Sequence, residues 1–403
     1  MRLLIGVDWS QEHHNVRIQN EAGALVVGFQ IGHSPDGLAK LEGEIAKLGV
    51  PPAKCLIALE TAHNLLIDFF WSRGYQIYVV APSVVCSSRG RYTSSGAHDD
   101  DRDAYVLAEL LRTDLHRFAP WKPDGPLVIQ MKAKIGLIDA LTQSITRHSN
   151  RLRAVLQRYY PEGLEVFGDL QTQICLRFLM TYPTPYAARA LTYAEFAQFC
   201  RGEGYTHPGL MPDCYAGLRR ASLKPDPLVV QAYQGETVFL AELVLRLVQQ
   251  KSRLIAEVRK LFTAHPDQAI FDSLPGAGEL LAPKLLVMFG DHRDRFPRPE
   301  AIRSLAGTCP VTDQSGKRRR VYFRKACNRR YRNTIQQFSK ESIRQVEWAA
   351  AYFAEALARG HSKSHAYRCL ANRWLGIIWK LWQTGQVYDE TYHLQQINAH
   401  RRR

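Results

Sequence analysis

Leu3-Leu4-Ile5-Gly6-Val7-Asp8 and Cys55-Leu56-Ile57-Ala58-Leu59-Glu60 decide how the first part of the chain folds. Each is a short apolar run of the kind buried on both faces of a sheet, and each ends on a carboxylate. Outward from the first run, Val16, Ile18 and residues 24–29 flank Asn20-Glu21-Ala22-Gly23, which reads as a hairpin turn. Ser34-Pro35-Asp36 opens a helix to about residue 48, with Pro35 tolerated in the first turn. Residues 65–73 are expected to be helical, 76–80 to form a third core strand, and a loop to follow. A helix over 100–112 then carries Ala104, Leu107, Ala108 and Leu111 on its apolar face. A hairpin followed by alternating strands and helices predicts a mixed sheet with helices around it.

Beyond residue 125 the pattern is helical. Ile135, Ile138, Leu141 and Ile145 place one long helix over about 128–160. Leu240, Leu243, Leu247, Leu254, Val258 and Leu261 place another over about 236–262. The stretch between them contains Pro and Gly and reads as irregular, so an antiparallel coiled hairpin is expected. Leu274-Pro275-Gly276-Ala277-Gly278 then precedes a helix. It suits either a plain entry turn or a helix-hairpin-helix turn whose glycine amides meet a phosphate. A loop is expected over 307–316, and helices from about 333 to 384 with Trp348, Trp374, Trp379 and Trp382 in the core.

A chain of 403 residues, 46% apolar, divides into two or three units with real cores and is not disordered. No run of about 18 apolar residues occurs, and Met1-Arg2 leads straight into a strand pattern. Neither a membrane span nor a signal peptide is expected, and the compartment predicted is the cytoplasm. The eight cysteines are scattered without a CxxC pair, so neither zinc nor disulfides are expected, and most read as small buried hydrophobes. The histidines are read as neither a metal nor a base site.

The net charge is +15, and residues 313–403 hold 19 Lys+Arg against 6 Asp+Glu. Cations gathered in this way suit a polyanion, because each phosphate neutralised releases condensed counterions. Within 317–332, Tyr322, Phe323 and Tyr331 interleave the cations Lys317, Arg318, Arg319, Arg320, Arg324, Lys325, Arg329 and Arg330, as a nucleic-acid surface does. Arg401-Arg402-Arg403 reads as a plain basic tail.

Asp8 and Glu60 close two central strands, and Asp100 and Asp103 lie three apart on one helix face. An Asp ending a strand is commonplace, and Asp99-Asp100-Asp101 also suits the positive end of a helix dipole. Taken together, four carboxylates at one sheet edge need cations between them. Paired hard divalent ions such as Mg2+ stabilise both oxygens of an in-line phosphoryl displacement.

Gly6-Val7-Asp8-Trp9-Ser10, Ala58-Leu59-Glu60-Thr61 and Asp100-Asp101-Arg102-Asp103-Ala104 resemble the D-E-D-D signature of a transposase family of bacterial insertion sequences. Gly307-Thr308-Cys309-Pro310 followed by Ser315-Gly316-Lys317 resembles that family's C-terminal Gly-x-x-Pro and Ser-Gly pattern, although Gln314 stands where the family often has a second serine. By itself a Ser-Gly is usually a turn, and a serine hydroxyl attacks only with help. The resemblance implies an α/β ribonuclease-H-like (RuvC-like) domain at 1–125, a long helical, coiled-coil region at 126–265 and a mostly α-helical serine transposase domain at 266–403. It further implies Asp8, Glu60, Asp100 and Asp103 as Mg2+ ligands and catalytic acids, and Ser315 as the DNA-attacking nucleophile. The partners implied are element and target DNA, a guide non-coding RNA and further copies of the chain in a dimer or tetramer. Two other readings stay open. One is a metal-dependent, junction-resolvase-like nuclease whose basic domain only grips DNA, and the other is a non-catalytic nucleic-acid-binding protein.

Overall fold

The computed structural model describes residues 1–61, 65–92, 100–220, 224–316 and 318–401, and the chain divides into two compact units, Met1–Pro123 and Asp124–Arg403.

The first unit is a five-stranded mixed sheet in the order β3-β2-β1-β4-β5. Strands β1 (Leu3–Trp9), β2 (His13–Gln19) and β3 (Leu25–Gly32) form an antiparallel meander, and β4 (Cys55–Leu59) and β5 (Gln76–Val79) add in parallel to β1. Helices α1 (Pro35–Lys47) and α2 (Leu65–Ser72) cover one face, where Leu3, Ile5, Val7, Ile57 and Leu59 meet Leu41, Ile45, Leu66 and Phe70. Where the sequence suggests a loop after β5, the chain forms α3 (Pro82–Tyr92), whose pattern is too weakly amphipathic to announce a helix. Helix α4 (Asp100–Thr113) covers the other face, laying Val106, Leu107, Leu110 and Leu111 on Leu4, Leu56 and Ala58.

That last packing turns on Gly6. A Cβ there would overlap the carbonyl oxygen of Ala104 and stand 2.8 Å from the amide nitrogen of Ala108. The α4 backbone therefore lies directly on the β1 backbone.

The second unit is helical. Helices α5 (Pro126–Tyr159) and α10 (Pro227–Thr263) pair along their length as antiparallel rods, each about 50 Å long at ~1.5 Å per residue. Ion pairs Lys134–Glu257 and Arg151–Glu236 fix the register. The stretch between the rods, expected to be irregular, instead folds as α6 (Gln173–Thr181), α7 (Pro185–Ala190), α8 (Tyr193–Gly202) and α9 (Met211–Leu218). Its aromatic core of Tyr159, Phe178 and Phe196 closes on Leu240, Ala241 and Val244 of α10. Each of these helices is too short for periodicity to register. Among the described residues, α10 alone is long and apolar enough to cross a membrane, yet it is packed into both cores and carries paired Glu236, Glu242, Arg246 and Glu257.

The opposite ends of the rods enter a larger core with α11 (Gln268–Asp272), α12 (Gly278–Phe289) and α13 (Pro299–Leu305). A two-stranded hairpin follows, β6 (Val311–Ser315) and β7 (Arg318–Tyr322), where a loop was expected. Helices α14 (Arg329–Ser342), α15 (Glu347–Ala358), α16 (Lys363–Thr384) and α17 (Glu390–Arg401) complete the unit. Trp374 and Trp382 are fully buried, Trp348 nearly so and Trp379 partly. Gly276, at φ +80°, lies close against the backbone of Glu341, so backbone conformation and packing together favour a glycine in that turn. All eight cysteines are free. Only Cys55, Cys175 and Cys200 are buried, against the expectation for most of them.

Replacing Gly6 with Ala is predicted to push α4 off the sheet. Overpacking of this kind costs about 1–3 kcal/mol. The variant should melt several degrees below the parent protein, and an unchanged Tm would show that α4 does not rest on β1.

Candidate active site

Val7 pairs with Leu59 in the parallel ladder, so Asp8, which lies within β1 rather than closing it as expected, and Glu60, the residue after β4, come side by side. Alternation puts Gly6 and Asp8 on the α4 face, with Ala58 and Glu60 beside them. Asp103 immediately precedes Ala104, the α4 residue seated on Gly6. Asp8, Glu60 and Asp103 are thereby gathered at one sheet edge, each partly buried. Burial first, and the charge of Asp103 second, push the Glu60 carboxyl above its usual range, with Arg89 partly opposing. Asp100 heads α4; its side chain lies outside the described residues, as do Asp99 and Lys317. Asp101 is exposed.

Two neighbours of these acids escaped the sequence reading. Arg89, on the unforeseen α3, grips Asp103 through Nε–Oδ1 (2.7 Å) and Nη2–Oδ2 (2.5 Å). Asn15, 8% exposed, is the cross-strand partner of Asp8 in the antiparallel ladder. Only the β1–β2 register, which no local pattern reports, could have found it. The donors here are all oxygens, which suits a hard divalent cation better than zinc. Among the described residues no three His, Cys, Asp or Glu side chains are close enough to share an ion.

Ser315 ends β6 and pairs with Arg318 across the turn that Gly316, at φ +55°, permits. All ten ladder residues are exposed. Paired residues of a ladder share a face, so Ser315 stands with Arg318, Arg320 and Tyr322, while Arg319 projects from the other side. Among the described residues, no general base is hydrogen-bonded to the Ser315 hydroxyl. The other basic residues expected to meet nucleic acid divide by environment. Arg324 donates through Nε to the carbonyl of Cys309 (3.2 Å). Arg330 pairs with Asp139 of α5 (3.1 Å), which also holds Lys284, so part of its charge is spent inside the fold. Lys325 and Arg329 are exposed.

A mixed sheet with acids at its strand ends, and a basic unit that presents a serine on an arginine-lined hairpin, define a nucleic-acid-processing enzyme. The chain belongs to the IS110/IS116/IS902 family of transposases. Residues 5–161 match a family model described as a transposase with the IS110-type DEDD signature, and residues 268–354 match the model described as the IS116/IS110/IS902 transposase family. It is similar to the "Mini-circle putative transposase for IS117" of Streptomyces coelicolor, 28% identical over 97% of this chain and 96% of that one. It is also similar to the IS900 uncharacterized 42 kDa protein of Mycobacterium paratuberculosis, 23% identical over 95% and 96%. The IS110 uncharacterized 43.6 kDa protein of Streptomyces coelicolor is 24% identical over 73% and 72%. The protein is thus a DNA transposase of a mobile element, of a family whose acidic signature implies a divalent metal ion.

The raised Glu60 carboxyl carries a stability consequence. The folded state binds that proton more tightly than the unfolded chain, so ionised Glu60 destabilises the metal-free fold at neutral pH. The penalty fades as pH falls through the folded value towards the ordinary 4.5. Glu60→Gln is therefore predicted to raise the Tm of metal-free protein at pH 7, and by less at pH 4. A lower Tm at pH 7 would contradict it.

Proposed function

We propose that the protein cuts and rejoins DNA through a phosphoserine intermediate formed on Ser315, assisted by an acidic, ribonuclease-H-like domain and guided by a non-coding RNA. The observation that carries this reading is the placement of Ser315 on a hairpin tip beside Arg318, inside the segment that matches the transposase family. In the step proposed, Ser315 Oγ bonds to the scissile phosphorus while the bond to one flanking nucleotide oxygen breaks. The serine proton leaves to solvent or a nearby base, and the departing oxygen takes one up. The phosphodiester survives on the protein, so an incoming strand hydroxyl can reverse the step and reseal without an energy source. Arg318 and Arg320, on the serine's face of the hairpin, would stabilise charge on the five-coordinate phosphorus.

Asp8, Glu60, Asp100 and Asp103 are the residues that would hold Mg2+, which when bound supplies positive charge to a phosphoryl displacement. The strand order β3-β2-β1-β4-β5, antiparallel then parallel, supports the ribonuclease-H-like reading. With Arg89 on Asp103, the metal-free site already places a cation against its acids. The serine and the acids belong to different units, and a site completed between subunits of a dimer or tetramer accommodates that. The nuclease reading keeps one observation in its favour, the absence among the described residues of a base hydrogen-bonded to Ser315.

Ser315→Ala should abolish both cleavage and a covalent protein–DNA adduct on denaturing gels, with nucleic-acid affinity nearly unchanged. Cleavage retained by that variant would favour the nuclease. Asp8→Asn, Glu60→Gln, Asp100→Asn and Asp103→Asn should each abolish recombination with the fold intact, and Asp101→Asn should do much less; equal damage from Asp101→Asn would displace the assignment along α4. Site-specific recombination is predicted to require the element's own transcript, and RNA-free protein that recombines a defined site would end the guide reading.

A further inference from the structure

The foot of the serine hairpin holds a group of side chains that the chemistry above leaves unused. Phe323 follows β7, and two guanidiniums stand over its ring, Arg332 of α14 at 4.4 Å and Arg368 of α16 at 4.3 Å. Elsewhere in this unit several partly buried arginines are neutralised by acids, Arg293 by Asp267, Arg295 by Asp124 and Arg259 by Asp272, while Arg373 rests over Trp348 and Tyr352 as a single guanidinium. Among the described residues neither Arg332 nor Arg368 has a carboxylate partner. An aromatic face attracts a cation without cancelling its charge.

Arg332 is built in deeply. Its Nη2 donates to the carbonyl of Arg324, and its Nε is buried with no hydrogen-bond partner. A Cβ on Gly307, itself at φ +66°, would collide with this guanidinium and lie 2.8 Å from Cys327 Cβ. The 307–310 turn is thus shaped around the arginine. Burial, and then the charge of Arg332, push Arg368 below its usual range. Burial, then His361 and Arg368, do the same to His365. His361 and His365 meet edge to face with ring centroids 4.1 Å apart, so the neighbourhood gathers guanidinium and imidazole groups. Two like charges held together, one with an unsatisfied buried donor, lack an anion.

We infer that Arg332 and Arg368 clamp one backbone phosphate of a bound nucleic acid and so set the hairpin's foot, and through it Ser315, in register with the strand being processed. The guanidinium fork of Arg368 matches two phosphate oxygens at once, and the charge of Arg332 beside it, which no carboxylate among the described residues cancels, adds to the attraction. Val311, which pairs with Tyr322 at the foot, lies four residues from Ser315, about 13 Å of strand. The clamped phosphate is then within about four nucleotide steps of the attacked one. The inference rests on reading the protein as a strand-transfer enzyme, and the shared chemistry, a phosphodiester, belongs to DNA and RNA alike.

The test measures binding of the full-length Arg368→Gln variant across a salt series, to a labelled duplex carrying the element end and, separately, to the transcript of the element's non-coding flank. Loss of one phosphate contact should make the slope of log K against log salt shallower by about 0.9 on duplex or about 0.7 on single strand. Arg368→Lys, which keeps the charge, should restore the slope. A change confined to the duplex assigns the phosphate to DNA, and one confined to the transcript assigns it to RNA. Unchanged slopes on both polymers, or failure of Lys to restore a slope that Gln has lowered, overturn the clamp. The wild-type covalent adduct is scored in parallel. Its absence would overturn the phosphoserine reading alone, whereas an adduct alongside unchanged slopes would overturn the clamp alone.

Discussion

The contact of α4 with Gly6 is the constraint on which the acidic edge depends. Backbone lies on backbone at that point, so there is no side chain whose rotamer could loosen the fit. Helix α4 carries Asp103 one residue before the contact, and β1 carries Asp8 two residues after it. A short lever from a rigid fulcrum places both, while the parallel ladder places Glu60 next to Asp8. Burial first, and the neighbouring charge of Asp103 second, make ionised Glu60 unfavourable in the bare protein, and Arg89 relieves only part of this.

In the helical unit the organising element is the α5–α10 pair. Two cores of different character share the same rods, one aromatic and closed by α6–α9, the other rich in leucine and tryptophan and closed by α11–α16. Because the ion pairs between the rods are largely exposed, they contribute little energy and chiefly select the register. The basic hairpin grows from the second core, between α13 and α14, and among the described residues Arg318, Arg319 and Arg320 make no ion pair, while Arg330 of α14 is bound into the fold.

Much of this was legible in the residues, and the exceptions have physical causes. Buried parallel strands advertise themselves through unbroken apolar runs, which is why Leu3–Val7 and Cys55–Leu59, and the acids that end them, could be read directly. The long rods were equally plain, since periodicity accumulates with length. Helix α10 nonetheless begins at Pro227, earlier than its leucines suggested, because its first turns face a domain whose existence was not foreseen. The hairpin β6–β7 was missed because strands exposed on both faces carry no alternation of apolar and polar residues to detect. Arg89 and Asn15 were missed for a different reason: their roles arise from contacts between segments distant in sequence. Arg368 lies still further from the run of cations that drew attention to 317–332, and joins it only through the fold.

A two-stranded ladder with both faces in water is barely stable on its own account. The β6–β7 hairpin borrows its order from its foot, through the Arg324–Cys309 hydrogen bond, the Asn328 amide bonded to Leu305 and the arginines over Phe323. Its amides should accordingly exchange hydrogen by local opening, far faster than those of α14 or α16, which must await a larger disruption. The serine therefore rides on a segment exposed on both faces and held chiefly at its foot.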